Sequence, residues 1–79
     1  MKMKILKPAI SNPSADNITL ATLVHVVATA GTDLVLSKVG GEVIVNIYIS
    51  ANGSIDLVKD STDKITCPTS HCTPIAYIS

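Results

Sequence analysis

The clearest structural signal in this chain is EVIVNIYISANGSIDLVK, residues Glu42–Lys59. Asn52 and Gly53 both tolerate positive φ, so the pair suits the tight two-residue turn of a β-hairpin between two apolar runs. In an extended strand, alternate side chains point to opposite faces. One face of the first run would carry Val43, Val45, Ile47 and Ile49, and the other Ile44, Asn46 and Tyr48. The stretch therefore predicts a hairpin with two partly apolar faces.

Outside this hairpin, short apolar runs alternate with turn residues along the chain. Further strands are predicted at Ile18–Ala28, Asp33–Val39, Ile65–Cys67 and Thr73–Ile78. Turn signals recur roughly every 8–12 residues, which favours antiparallel strands over alternating strands and helices. The predicted fold class is all-β, a small antiparallel β-sandwich or open barrel of roughly five to seven short strands.

The first residues of the chain follow a different pattern. Pro8 and Pro13 exclude a regular strand ladder across this segment, and the residues around Pro13 are typical of a loop. We therefore expect an extended N-terminal arm over residues 1–14 and a single β-domain over residues 15–79.

The composition leaves more apolar surface than so short a chain can bury. Of the 79 residues, 47% are hydrophobic and 15% are charged, against roughly 25% charged in an average soluble domain. The chain has no Phe or Trp to fill a small core, so part of its Val, Ile and Leu must pack against something else. This balance predicts that a partner or identical subunits bury the excess. Of these we expect a homo-oligomer, and we favour a trimer.

Charge and hydropathy argue against several other partners. Six lysines balance six acidic residues and there is no arginine, so no basic face for nucleic acid is expected. The longest apolar-rich stretch, Ile18–Ala30, is about 13 residues, too short for a membrane span. Five acidic residues near predicted turns are expected to form a solvated rim: Asp33, Glu42, Asp56, Asp60 and Asp63. The chain is expected to be soluble and unprocessed, with no nucleic acid and no membrane as partner.

Soft metal ligands and nucleophiles cluster at one place, between Cys67 and Cys72, with His71 in between. A zinc site needs four ligands, and only three are local. The cysteines could form a disulfide if the intervening loop brings their Cα atoms within about 7 Å, or could be two small apolar residues capping a turn. The spacing of these cysteines and His71 matches no catalytic signature, so no catalytic residue, cofactor or metal is predicted. The other histidine, His25, is expected to be a hydrogen-bonded structural residue.

Three runs resemble small virion proteins of tailed phages: Val26–Leu36, Val45–Ser54 and Pro74–Ile78. These are β-modules of the head-decoration, spike-base and fibre-base type. The resemblance implies a non-enzymatic structural subunit of a virion, with a capsid or other virion protein as partner.

Together, the apolar surplus and the resemblance predict association between identical subunits, with the N-terminal arm reaching a neighbour. The candidate interface residues are Val43, Val45, Ile47, Ile49, Tyr48 and Tyr77. The alternative is a small monomeric binding module, such as a phage-encoded inhibitor of a host protein.

Overall fold

Two antiparallel β-sheets pack face to face, which confirms the predicted all-β class and, of the two predicted architectures, the sandwich rather than the open barrel. The structure is a computed structural model that describes residues 2–78, without the side chain of Ile78. Eight strands are present and the described residues contain no helix. The strands are β1 (Lys2–Ile5), β2 (Ile10–Ser11), β3 (Leu23–Ala28), β4 (Thr32–Ser37), β5 (Val43–Ile49), β6 (Ser54–Val58), β7 (Lys64–Thr66) and β8 (Ser70–Ile78).

The first sheet has the order β1–β8–β3–β6, with β2 also paired to β8, and the second has the order β5–β4–β7. Residues 2–14, predicted as an arm, therefore contribute two short strands to the edge of the first sheet. Met3 pairs with Tyr77, and Ile10 pairs with Cys72. Met1, the first residue of the predicted arm, lies outside the described residues.

The hairpin predicted over Glu42–Lys59 is wrong, because β5 and β6 lie in different sheets. The turn between them has positive φ at Asn52 but not at Gly53, and the Gly53 N–H donates to the Ser50 carbonyl at 2.8 Å. This is the pattern of a type II turn, whereas a two-residue type I′ hairpin needs positive φ at both central residues. The Asn52 N–H donates to the Ala28 carbonyl at 2.9 Å, so the turn carries the chain across to the end of β3.

The hairpin that does form joins β4 to β5. Its loop closes with the Lys38 N–H donating to the Glu42 carbonyl at 2.8 Å, and Gly41 adopts a φ of 94°, which glycine tolerates best. The register shifts at Ser37, so Ile44 is an extra residue on β5, a β-bulge. The regular part of β5 therefore runs from 45 to 49.

The core lies between the sheets because alternate residues of β3 and β4 point inward. Val24 and Val26 on β3 and Leu34 on β4 are fully buried, whereas their sequence neighbours are exposed or half-buried. The remaining buried apolar residues are Ile18, Ala21, Ala28, Leu36, Ile49, Ile65, Cys67, Cys72 and Ile75.

The strand predicted over Ile18–Ala28 begins only at Leu23. Residues 18–20 have φ between 54° and 61°, which places three consecutive residues in the left-handed region. Two side chains hold this turn: Asp16 Oδ1 accepts the Ile18 N–H at 2.7 Å, and Asn17 Oδ1 accepts the Leu20 N–H at 3.2 Å. Because Ile18 is fully buried, the turn directs a core side chain inward before β3 begins.

The left-handed turn gives a stability prediction at Leu20, whose side chain is 56% exposed at a φ of 61°. A left-handed backbone costs a non-glycine residue roughly 1–2 kcal/mol, which glycine avoids. We expect Leu20→Gly to raise the free energy of unfolding in urea by about 0.5–1 kcal/mol, after the greater entropy of the unfolded chain is subtracted. Val39→Gly, at an exposed loop residue without positive φ, is the control and should be neutral or destabilising. A less stable Leu20→Gly variant would contradict the prediction.

Candidate functional site

One side of the sandwich is open, because β5 and β6 are edge strands of the two sheets and meet there at their connecting turn. Between them lies a cleft of about 490 Å³. Its apolar lining is Leu36, Ile44, Val45, Ile47, Leu57 and Val58, and its charged lining is Lys38, Lys59, Asp60 and Asp63. We call the surface made by β5, the cleft and β6 the open side.

The edge of β5 lacks the features that normally keep edge strands from pairing with other chains. Its seven residues, Val43–Ile49, include no charged residue, proline or glycine. The other edges are better protected: β1 carries Lys2 and Lys4, β6 carries Asp56, and β7 is three residues long and carries Lys64. Only the bulge at one end of β5 counts as a protective device.

Tyr48, which is 66% exposed, lies on β5 over the connection between β3 and β4. A Cβ atom on Gly31 would overlap the Tyr48 hydroxyl, so the glycine leaves room for the ring. A turn residue in one part of the sequence thus helps to set the position of the largest exposed side chain on the open side.

The residues predicted as an interface do not share one surface. Val43 and Tyr48 are exposed, and Val45 and Ile47 are half-buried along the cleft. Ile49 is 4% exposed and belongs to the core of its own chain, because it sits at the inward-facing end of β5. Tyr77 lies on β8, in the first sheet, and forms part of a polar cluster.

A polar cluster joins three strands of the first sheet. Asp56 on β6 is opposite His25 on β3, and the His25 Nδ1–H donates to Asp56 Oδ1 at 2.6 Å, given the tautomer that this contact requires. The Tyr77 hydroxyl on β8 donates to Asp56 Oδ2. The hydrogen bond to Tyr77 and then that to His25 lower the pKa of Asp56, and the bond to Asp56 raises the pKa of Tyr77. Within residues 2–78, no hydroxyl or thiol hydrogen-bonds to the other nitrogen of the His25 ring, so the cluster orients an imidazole without presenting it to a nucleophile.

Sequence reasoning missed this cluster because it depends on strand register. His25 and Asp56 become opposite only once β6 pairs with β3, and the predicted hairpin assigned β6 to a different neighbour. No local pattern links either residue to Tyr77.

The cluster predicts an acid dependence of stability. The pKa of Asp56 is lower in the folded than in the unfolded chain, so its contribution is present above the ordinary value of 3.8 and is lost as the pH falls through the folded value. We expect Asp56→Asn to flatten the fall in the free energy of unfolding in urea between pH 5 and pH 2, by no more than about 1 kcal/mol since the carboxylate is solvent-accessible. Asp33→Asn, which removes the same charge at an exposed aspartate on β4, is the control. An Asp56→Asn profile identical to that of the original chain would contradict the prediction.

Cys67 and Cys72 are both buried, and in the structure they are free thiols. The Ser70 hydroxyl donates to the Cys67 carbonyl at 2.7 Å and lies 3.7 Å from the Cys72 sulfur. Burial raises the pKa of Cys72 to about 11, which disfavours the thiolate that nucleophilic chemistry requires. His71 points to the other face of β8, where its Nδ1 is 2.9 Å from the Ser11 hydroxyl.

The cysteines and histidine that cluster in the sequence therefore do not converge on one point. His71 and Cys72 lie on opposite faces of β8, as expected for adjacent residues of a strand. Across residues 2–78, no group of three or more His, Cys, Asp or Glu side chains is arranged to hold a metal ion.

A buried lysine closes one end of the cleft. Lys59 is 5% exposed, and its Nζ donates to the Asp60 and Ser61 carbonyls at 3.2 and 3.4 Å. Burial lowers the pKa of Lys59, while Asp63, Asp16 and Asp60 oppose that shift. Asp63 was predicted to be solvated but is buried, and its carboxylate accepts the Asp60 N–H at 3.2 Å.

In the described part of the chain, no helix has the length and apolar character needed to cross a membrane. The chain matches no protein-family model, no curated protein and no solved structure at a significant level.

Proposed function

We propose that this chain is a non-enzymatic structural protein that works by associating with copies of itself through the open side. The observation that carries the proposal is β5, a seven-residue edge strand with apolar side chains on both faces and no charge. An unprotected edge of this kind pairs readily with another strand, and natural monomers normally avoid it.

The distribution of exposed apolar residues supports the same surface. Ten large hydrophobic side chains are described as exposed, and half of them lie on the open side or on the loop that leads into β5. These five are Val39, Val43, Ile44, Tyr48 and Val58. A concentration of exposed apolar side chains on one part of a small domain is typical of an interface.

We further propose that the assembly belongs to a virus particle, as a decoration, cement or spike-base subunit bound to a capsid or other virion protein. This part rests on the resemblance of the chain to small tailed-phage virion modules. It adds no catalytic role, in keeping with a site built from apolar edges rather than activated groups.

The first test is the absolute mass of the full chain by light scattering, between 1 and 200 µM, with and without reductant. The expected result is a defined multiple of 8.2 kDa that does not depend on reductant, because both thiols are buried. A folded species of 8.2 kDa at every concentration would overturn the proposal and favour the monomeric binding module.

The virion assignment has its own test. Particles purified by density gradient from the source of the chain should contain its peptides in a fixed ratio to the major capsid protein. Absence of the chain from such particles, with the chain present in the soluble fraction, would overturn the virion assignment and leave self-association standing.

A further inference from the structure

We propose that two copies of this chain pair through β5, antiparallel and about a twofold axis at Ile47, so that their second sheets form one continuous sheet. This inference rests on the proposed self-association and names the surface and register through which it occurs.

The bulge selects the register. Ile44 is the extra residue of the bulge, so only Val45–Ile49 can form a regular ladder with a new strand. A twofold axis at Ile47 uses all five of these residues and leaves the bulge outside the ladder. An axis at Asn46 would instead place the bulged residue opposite Tyr48 of the other copy, where regular pairing is interrupted.

The side chains on the inner face complement themselves in this register. Val45 faces Ile49 of the second copy, and Ile47 faces its own counterpart, so each pair is apolar on both sides. Val45 and Ile47 are half-buried in the single chain and line the cleft, and the pairing would cover part of their remaining exposed surface. An axis through identical residues is the isologous arrangement of most homodimers.

The outer face pairs a polar group with a polar group. Asn46 of one copy faces Tyr48 of the other in two symmetry-related pairs, and neither residue is charged. The Tyr48 ring itself lies over Gly31 of its own chain, so the pairing does not depend on an amide–phenol hydrogen bond. Asn46 and Tyr48 are exposed in the single chain, so this contact replaces water rather than core packing.

The absence of charge on β5, together with the apolar pairs that the strand forms with itself, favours a second copy of this chain as the occupant. Two identical edges repel each other wherever they carry like charges, and β5 carries none. In the loop that leads into β5, Lys38 and Glu42 form an ion pair at 3.7 Å within one chain, so they add no net charge to the edge. A standard interface buries roughly 800 Å² per partner. We expect a five-residue ladder to bury less than this, so the affinity should be in the micromolar range.

Two double variants test the register. In N46K/Y48K, each introduced lysine would face a lysine of the other copy, so the dimer should dissociate at least 10-fold more readily than the original chain. In N46K/Y48E, the introduced lysine of one copy would face the introduced glutamate of the other, so the dimer should persist and weaken with added salt. Both positions are exposed, so folding should survive, which thermal unfolding monitored by circular dichroism would verify.

The matched control is M3K/I5K, which adds the same two charges to β1, at the edge of the first sheet, where both side chains are exposed. It should dimerise like the original chain. Each sample is measured by sedimentation equilibrium or light scattering over the same concentration range.

The outcomes separate this inference from the proposed function. A dimer for the original chain, M3K/I5K and N46K/Y48E, with a monomer for N46K/Y48K, supports the pairing. Loss of the dimer in both substituted β5 variants overturns the register. Three outcomes overturn β5 pairing but leave self-association intact. These are a dimer that persists in N46K/Y48K, a dimer that is lost in M3K/I5K, and a trimer of the original chain. A monomeric original chain overturns both.

Discussion

Replacing Leu34 with alanine is expected to lower the free energy of unfolding by about 2–5 kcal/mol. Leu34 is fully buried on β4, the central strand of the second sheet, so its removal loses transfer energy and leaves a cavity between two layers. Small domains have only about 5–15 kcal/mol of stability in total, so the variant should be far more sensitive to heat and urea. Urea unfolding followed by circular dichroism measures the difference.

Val35→Ala is the matched control for Leu34→Ala. Val35 is the next residue on the same strand and points to the outer face of the second sheet, where it is half-buried. Its truncation should cost less than about 1 kcal/mol. Equal losses at the two positions would mean that β4 does not present Leu34 to the core.

The second large effect is expected at alkaline pH and involves Cys72. Burial raises the pKa of this thiol from 9.0 to about 11, so the folded chain holds the proton more tightly than the unfolded chain does. Its contribution to stability is fully present below pH 9 and is lost as the pH rises through 11, a loss of roughly 2–3 kcal/mol. Urea midpoints between pH 8 and pH 11 measure it.

Cys72→Ala isolates the contribution of the thiol. This variant should be somewhat less stable at pH 8, because it leaves a small cavity, but should lose less stability on going to pH 11. Tyr77→Phe is needed beside it, since the raised pKa of Tyr77 gives an alkaline loss of the same sign. An unchanged alkaline slope in Cys72→Ala would show that the thiol does not titrate as expected.

The sequence predicted which segments are strands better than it predicted how they pair. Alternation of apolar side chains located β4 and β5 to within a few residues, because one buried face requires that pattern. Pairing depends on the turn, and Asn52 fits both a type I′ hairpin and the third position of a type II turn. The second geometry forms here because the turn is hydrogen-bonded to Ala28, a contact that no local pattern encodes.

The left-handed turn before β3 was unpredictable for a related reason. Ile18 and Thr19 are β-branched and disfavour positive φ, so local preference argued for an extended strand. Burial of Ile18 and the backbone hydrogen bonds that the Asp16 and Asn17 side chains accept outweigh that preference. The open side was predicted only in part. The apolar residues of β5 are evident in the sequence, but the sequence does not show which of them are buried in the core of the same chain, as Ile49 is.

The position of β8 constrains the order in which the chain can fold. This strand follows all the others in sequence, yet it lies inside the first sheet, between β3 and the strands that precede β3. During synthesis the first sheet therefore stays incomplete until β8 has emerged, and only the β4–β5 hairpin can pair locally before then. Because most other pairings join distant segments, folding should be slow for a chain of this size, and the unprotected edge of β5 is present before the fold is complete. A newly made chain thus exposes the β5 edge to its neighbours early, so the pairing proposed above would begin before the fold is complete.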